Sequence, residues 1–235
     1  CADQCYVPGD GTGMYEAMLE AKEQGKIRHI GITAHKIGVA QESIKCGYYE
    51  TLQFPFSYIS TPQEIELVKA CKEHNMGFIA MKGLAGGLIN QSKPAMAFMT
   101  QFDNVIPIWG IQREKELDEW LAFMDETPQM DDDIKAYIEK EKQELVGDFC
   151  RGCGYCMPCP AGIMINQCAR MSLMLRRAPS KAWLTPQMQA EMKKIEDCKH
   201  CGACKKKCPY ELDTPTLLEK NYEDYKKVLA GEVEV

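Results

Sequence analysis

The feature that most constrains the fold of this chain is a pair of cysteine runs in its last third. "DFCRGCGYCMPCP" covers residues 148–160, "DCKHCGACKKKCP" covers residues 197–209, and each run places four cysteines before a proline. Such tight spacing favours metal binding over the disulfide frameworks of small secreted proteins. Thiolate ligands have to stay reduced, which predicts a reducing compartment, and we expect the cytoplasm.

The spacing within the runs favours iron–sulfur clusters over zinc. The second run has the Cys-x2-Cys-x2-Cys-x3-Cys-Pro spacing of bacterial ferredoxins, in which the fourth cysteine reaches the other cluster. The first run is one residue shorter in its last gap. We therefore expect two [4Fe–4S] clusters, one held by Cys150, Cys153, Cys156 and Cys208, and the other by Cys198, Cys201, Cys204 and Cys159. Zinc, which takes four cysteines from paired Cys-x2-Cys motifs, is the alternative.

Other potential ligands in the sequence receive a simpler interpretation. His200 lies inside the second run, and we expect it to be solvated and not a ligand. Cys46, Cys71 and Cys168 lie on apolar helix faces and are predicted to be small buried thiols. Cys1 and Cys5 receive no assignment.

The region before the cysteine runs predicts parallel strands alternating with helices. Runs of β-forming residues occur at 29–33, 51–54, 77–82 and 104–109, and helical patterns lie between them. In "TPQEIELVKACKEHN", Thr61 is a helix cap, Pro62 takes the first helical position and Glu64 completes a capping box. Four βα units are half of a closed (β/α)₈ barrel, so the alternatives are a small open sheet and the second half of a barrel.

The region after residue 148 contains helical patterns and no strand pattern. Methionines recur at helical spacing in "INQCARMSLMLRRAP" and "TPQMQAEMKKIEDC", and core packing is the favoured interpretation of this stripe. We expect three parts: a partial barrel at 1–125, a linker helix at 126–147 and a small helical domain with the cysteines at 148–235.

Charge and hydropathy exclude two classes of partner. The net charge is −6, and no basic stripe is present, which argues against nucleic acid. No apolar run approaches the roughly 18 residues of a membrane span, so no membrane association is expected.

Four segments of the first region resemble the fifth to eighth strands of the aldo/keto reductases. They are "YEAMLEAKEQGKIRHIGIT", "LQFPFS", "GFIAMKGLAGGLI" and "VIPIWGIQREKELDEW". With the two cysteine runs appended, the whole chain resembles aldo/keto reductases that carry a C-terminal ferredoxin-type domain. The resemblance implies an α/β fold class, the second half of a (β/α)₈ TIM barrel followed by a small all-helical ferredoxin-like domain. It also implies NAD(P)H-dependent redox chemistry on a small-molecule carbonyl or alcohol.

The resemblance assigns nucleotide contacts but no catalytic residue. The family's catalytic Asp, Tyr, Lys and His lie on its first four strands, which are not in this sequence, so the fragment alone is expected to be inactive. His35 and Lys82 follow strands but do not occupy those positions. The expected cofactor contacts are Thr33, Gln53 at the nicotinamide carboxamide, Phe56 as a stacking or core ring, Gly83 and Gly86 at the pyrophosphate, and Gln112 and Arg113 at the adenosine.

Two departures from the family pattern affect the nucleotide assignment. Ala34 replaces the usual Asn, and Glu116 stands where NADPH-specific members often have an Arg, so the choice between NADH and NADPH stays open. The clusters either relay electrons, with a redox partner protein, or hold the domain together. The alternatives to the enzyme are an iron–sulfur electron-transfer module with a non-catalytic barrel half and a zinc-dependent interaction domain.

Overall fold

The computed structural model describes residues 2–145, 149–177 and 179–235 of the chain. The predicted domain limit at 147/148, Cys1 and the start of the first cysteine run at Asp148 lie outside the described residues. The predicted domain limits therefore stay a prediction.

The first region forms a parallel sheet of four strands in chain order. The strands are β1 (Gly31–Thr33), β2 (Thr51–Pro55), β3 (Gly77–Met81) and β4 (Val105–Pro107). Thr33 lies opposite Gln53, which lies opposite Ile79 on the next strand. Strands β1, β3 and β4 fall within the predicted segments, and β2 extends one residue beyond its predicted segment, to Pro55.

Helices connect consecutive strands, as parallel pairing requires. Helix α1 (Met14–Glu23) precedes β1, and α2 (Ile37–Lys45), α3 (Pro62–Glu73) and α4 (Ser92–Met99) lie between the strands. Helices α5 (Glu114–Asp125) and α6 (Asp132–Glu144) follow β4. The α/β class predicted from the sequence is confirmed.

The predicted capping box starts α3. The Thr61 hydroxyl accepts a hydrogen bond from the Glu64 backbone N–H at 3.3 Å, and the Glu64 carboxylate accepts one from the Thr61 N–H at 2.7 Å. The apolar face of α3, with Leu67, Val68 and Cys71, is buried against the sheet region. Cys71 is therefore the buried thiol that the sequence predicts, and burial raises its pKa to about 12.

The C-terminal region is helical and contains no strand among the described residues from 149 onward. It consists of α7 (Ile165–Cys168), α8 (Met171–Arg177), α9 (Pro186–Lys193), α10 (Ala203–Lys207) and α11 (Thr214–Leu229), with 3₁₀ turns at Ser180–Trp183 and Lys194–Asp197. Met171, Met174 and Met192 are buried, as the core interpretation of the methionine stripe expects.

One predicted helix is interrupted between α7 and α8. The buried Asn221 of α11 explains the break, because its side chain bonds to backbone groups there. Its amide nitrogen donates to the Ala169 carbonyl at 3.2 Å, and its side-chain oxygen accepts from the Ser172 N–H at 2.8 Å. The side chain thus replaces bonds that a continuous helix would make internally.

The chain divides into two compact units. One contains Cys1–Ala85 and Gln91–Lys142, and the other contains Gly86–Asn90 and Gln143–Val235. Within the described ranges, no helix is long and apolar enough to cross a membrane.

Candidate functional site

One cavity of the helical unit is lined by cysteines from both runs. Cys150, Cys153, Cys156 and Cys208 all lie in its wall. These are the four cysteines predicted to hold the first cluster. Cys208 lies directly after α10, whereas the other three lie in the loop before α7.

A second cavity in the same unit collects the other predicted ligand set. It is lined by Cys159, Cys198, Cys201 and Cys204. The Cys156 side chain borders this cavity as well, and so does Ile165, so the two cavities share part of their walls. The structure therefore places the fourth cysteine of each run with the first three of the other.

One of these thiols accepts a hydrogen bond from the backbone. The Gly152 backbone N–H lies 3.4 Å from Cys150 Sγ and donates a hydrogen bond to it. Backbone N–H groups directed at a sulfur stabilise thiolate charge, and they influence the reduction potential of a cluster bound there.

Burial makes the cavity thiols poor acids in the absence of a metal. Desolvation raises the pKa of Cys156 to about 12, with further contributions from the charges of Cys150 and Cys153. Burial also raises the pKa of Cys150 and of Cys204. Because thiolates are the ligands, cluster binding at these cavities would release protons and reverse this preference.

The described residues show no preformed site for a single metal ion. Within the described residues, no group of three or more Cys, His, Asp or Glu side chains could hold one metal ion. Tetrahedral zinc at about 2.3 Å from each sulfur needs sulfur atoms within about 4 Å of one another. Metal analysis of the purified chain distinguishes zinc from iron at these cavities.

His200 behaves as predicted for a solvated side chain. Its ring is 62% exposed and lies 3.7 Å from the Glu219 carboxylate, although the residue borders the second cavity. Cys168 is fully buried and lines neither cavity.

Cys46 differs from the buried thiol that the sequence predicted. It is half-buried, and its Sγ lies 3.7 Å from that of Cys5. No sequence pattern indicates this pair, because its members lie 41 residues apart.

A second set of predicted residues lies on the sheet strands. Thr33 is the last residue of β1, its paired position Gln53 is the third of the five residues of β2, and both are half-buried. The Gln53 side-chain nitrogen contacts Met81 Sδ at 3.7 Å, and a thioether is a weak acceptor. The amide therefore keeps hydrogen-bonding capacity for a ligand.

The other residues expected to contact a nucleotide have packing roles. Phe56 is 1% exposed and packs against Phe78, Phe98 and Phe102, which favours the core alternative for its ring. At Gly83, a Cβ atom would lie 2.5 Å from the Trp109 ring, so glycine permits the close approach of this indole.

The remaining predicted contacts lie in two places. Gly86 belongs to the helical unit, where its carbonyl accepts a hydrogen bond from Arg170 at 3.0 Å. Gln112 and Arg113 are exposed after β4. The Gln112 backbone N–H and the Arg113 guanidinium both donate to the Glu116 carboxylate, at 2.9 and 2.7 Å.

His35 is a buried histidine at the end of β1. Its side chain is in the core at 5% exposure, and burial together with the charge of Lys82 lowers its pKa to about 4. An unfolded histidine has a pKa of about 6.5. Between pH 4 and 6.5 the unfolded chain therefore binds more protons, and the free energy of unfolding falls as the pH decreases through this window.

This titration predicts a pH-dependent difference between the wild-type chain and His35→Gln. The variant should lose up to about 3 kcal/mol less stability than the wild type between pH 6.5 and pH 4. Urea unfolding followed by circular dichroism at several pH values measures the difference, and acid sensitivity of any cluster affects both proteins equally. Parallel stability curves for the two proteins would contradict the assignment.

Taken together, the described geometry defines a class of protein. A parallel βα sheet with the polar residues Thr33 and Gln53 on its first two strands is joined to a helical module with two neighbouring cavities lined by cysteines of both runs. Residues 12–105 match the Aldo/keto reductase family, and residues 149–213 match the 4Fe-4S dicluster domain. The chain thus carries an aldo/keto reductase domain segment and a C-terminal iron–sulfur domain, and the resemblance predicted from the sequence is confirmed.

Comparison with solved structures yields a weak similarity to a reductase. The crystal structure of a protein provisionally described as a 2,5-diketo-D-gluconic acid reductase B is 18% identical, with a TM-score of 0.43. The similarity covers 58% of this chain and 54% of that chain, so this chain spans about half the length of the reductase. No curated protein matches the sequence.

Proposed function

We propose that this chain is part of an oxidoreductase whose helical unit holds two [4Fe–4S] clusters. The observation that carries the proposal is the pair of cavities, each of which is lined by the four cysteines proposed for one cluster, drawn from both runs, with Cys156 bordering both cavities. The proposed ligands are Cys150, Cys153, Cys156 and Cys208 for one cluster, and Cys198, Cys201, Cys204 and Cys159 for the other.

The residues present fit this type of group. Four thiols per cavity supply the ligand number of a cubane, and the Gly152 N–H supplies a backbone hydrogen bond to one sulfur. In the described residues, the walls of both cavities carry no carboxylate that would favour a hard cation. A reducing compartment, for which we propose the cytoplasm, keeps such thiols available.

The shared wall of the cavities supports a relay role for the clusters. Cys156 and Ile165 border both cavities, so groups bound there would be neighbours. Cys201 is exposed, whereas Cys150 and Cys204 are buried, which makes the second cavity an accessible point for a redox partner protein. The exposed Lys199 lies next to this opening, where it would favour an acidic partner surface.

The sheet is proposed to be part of a (β/α)₈ barrel that binds a nicotinamide nucleotide at its carboxyl edge. When bound, such a nucleotide supplies a hydride, and the clusters supply single electrons. Gln53 would hold the nicotinamide carboxamide through its side-chain amide, and Thr33 would add a hydroxyl beside it. The proposed substrate is a small-molecule carbonyl or the corresponding alcohol.

The adenosine side of the nucleotide is proposed to lie near Gln112 and Arg113. Arg113 pairs with Glu116 at 2.7 Å, so its charge is already balanced there. A 2′-phosphate would meet the Glu116 carboxylate as well as the guanidinium. Nucleotide binding is therefore to be measured with both NADH and NADPH.

The experiment that separates the enzyme from a non-catalytic electron-transfer module is nucleotide binding by Gln53→Ala. This variant should bind the preferred nucleotide about fivefold more weakly, because a net hydrogen bond contributes about 1 kcal/mol. Fluorescence titration of the purified chain with each nucleotide measures the change.

A matched control is Gln129→Ala, which changes an exposed glutamine outside the sheet. It should bind the nucleotide as the wild type does. Equal affinity of all three proteins would remove Gln53 from the site. No binding of either nucleotide by the wild type would favour the electron-transfer module.

A further inference from the structure

The guanidinium of Arg170 lies against the turn that carries the first cluster ligand. A Cβ atom at Gly152 would be 3.0 Å from Arg170 Nη1 and 3.2 Å from Cζ, so glycine lets the guanidinium pack directly on the backbone. The N–H of the same Gly152 donates to Cys150 Sγ at 3.4 Å. The positive charge therefore lies beside Gly152, whose N–H group bonds to the sulfur of the predicted cluster ligand Cys150.

The position of Arg170 is fixed by the helical unit itself. Its Nη1 donates to the Gly86 carbonyl at 3.0 Å, and a Cβ at Gly86 would come within 2.7 Å of this nitrogen. Its Nε is buried and has no hydrogen-bond partner among the described residues. Burying an arginine N–H group without a hydrogen-bond partner costs free energy. A function that uses the charge would explain why Arg170 is buried here.

The charge of Arg170 interacts with Cys150, which lines the first cavity. Burial lowers the pKa of Arg170, and the charge of Cys150 opposes this shift, which places the two groups in one electrostatic environment. No carboxylate lines the cavity of Cys150 among the described residues. Arg151, which lines this cavity, lies over the Tyr210 ring, with Cζ 4.4 Å from the ring centroid.

We propose that Arg170 sets the reduction potential of the cluster bound by Cys150, Cys153, Cys156 and Cys208. Reduction adds one electron, and so one negative charge, to a group whose thiolate ligands are already anionic. A fixed cation in a partly buried setting stabilises the reduced form more than the oxidised form. This inference rests on the proposed function, because it requires a cluster in that cavity.

The test is a potentiometric titration of the cluster-loaded chain with dithionite, followed by electron paramagnetic resonance. In Arg170→Gln, one of the two clusters should become harder to reduce, with its potential shifted to a more negative value, while the other cluster is unchanged. Arg170→Lys keeps the charge and should restore the potential close to that of the wild type. A packing role alone would not make the lysine variant differ from glutamine in this way.

The control is Arg176→Gln, which removes an arginine that Asp224 holds at 2.6 Å and that lines neither cavity. Both potentials should stay unchanged in this control. Full iron content with no shift in Arg170→Gln would overturn the proposal, and so would an equal shift in Arg170→Lys.

A milder variant covers the case in which Arg170→Gln does not assemble its cluster. Gly86→Ala keeps the charge but displaces Nη1, and it should shift the same potential in the same direction by a smaller amount. An unshifted potential in this variant would then contradict the proposal. A wild-type chain without two clusters would instead contradict the proposed function, which separates the two failures.

Discussion

Replacement of Cys204 by alanine is expected to halve the iron content of the chain, from about eight to about four atoms. Cys204 is 9% exposed at the start of α10, and it lines the second cavity with Cys159, Cys198 and Cys201. Loss of one of four ligands opens a cluster to solvent and leaves three thiolates without their group. Iron quantified per polypeptide measures the loss.

The same substitution should also lower the thermal stability of the helical unit. Cluster binding contributes to folding free energy, because the unfolded chain has no formed site. Pro215 and Leu218 of α11 line the second cavity, so loss of the cluster would leave α11 without the group packed against it. Helical circular dichroism should melt several degrees lower than in the wild type.

Cys168→Ala is the matched control for this experiment. Cys168 has the same side chain, is fully buried in the same unit and lines neither cavity. It should keep about eight irons and lose only the small free energy of a buried thiol. If Cys204→Ala kept both clusters, the proposed ligand set would be wrong.

The crossed ligand assignment makes a second prediction with a large effect, based on pairs of substitutions. Cys150 and Cys208 are assigned to the same cluster, so Cys150→Ala with Cys208→Ala should lose about four irons, no more than either single variant. Cys198 and Cys208 are assigned to different clusters, so the pair Cys198→Ala with Cys208→Ala should lose nearly all iron. The contrast arises because the cavity that contains Cys208 also contains Cys150 but not Cys198.

The uncrossed assignment gives the opposite contrast. If each run held its own cluster, the pair Cys198→Ala and Cys208→Ala would spare one cluster, and the pair Cys150→Ala and Cys208→Ala would remove both. Cys156 is unsuitable for this comparison, because it borders both cavities. Iron content and visible absorbance of the two double variants distinguish the assignments.

The sequence predicts the features that local chemistry determines. Thr61, Pro62 and Glu64 are close in sequence and form the capping box that they predict. The four strands were recognisable because β-forming residues cluster between helical patterns. Cysteines of both runs line each cavity, as expected from a spacing that matches a known arrangement of two clusters, whereas the assignment of ligands to clusters stays a prediction.

Features that depend on contacts distant in sequence were not predictable. The break between α7 and α8 depends on Asn221, which lies about 50 positions later in the chain. Arg170 packs on Gly152 and donates a hydrogen bond to the carbonyl of Gly86, which lies 84 residues earlier in the chain. The aromatic cluster around Phe56 likewise forms only when α4 and the sheet pack together, so sequence alone left its stacking and core roles open.

The most direct test of this account is an anaerobic visible spectrum of the purified chain, with iron and zinc quantified per polypeptide. The account predicts a brown protein with broad absorbance near ~400 nm and about eight irons, as two [4Fe–4S] clusters require. A colourless protein with about two zinc ions would contradict it and would make the helical unit a structural zinc module.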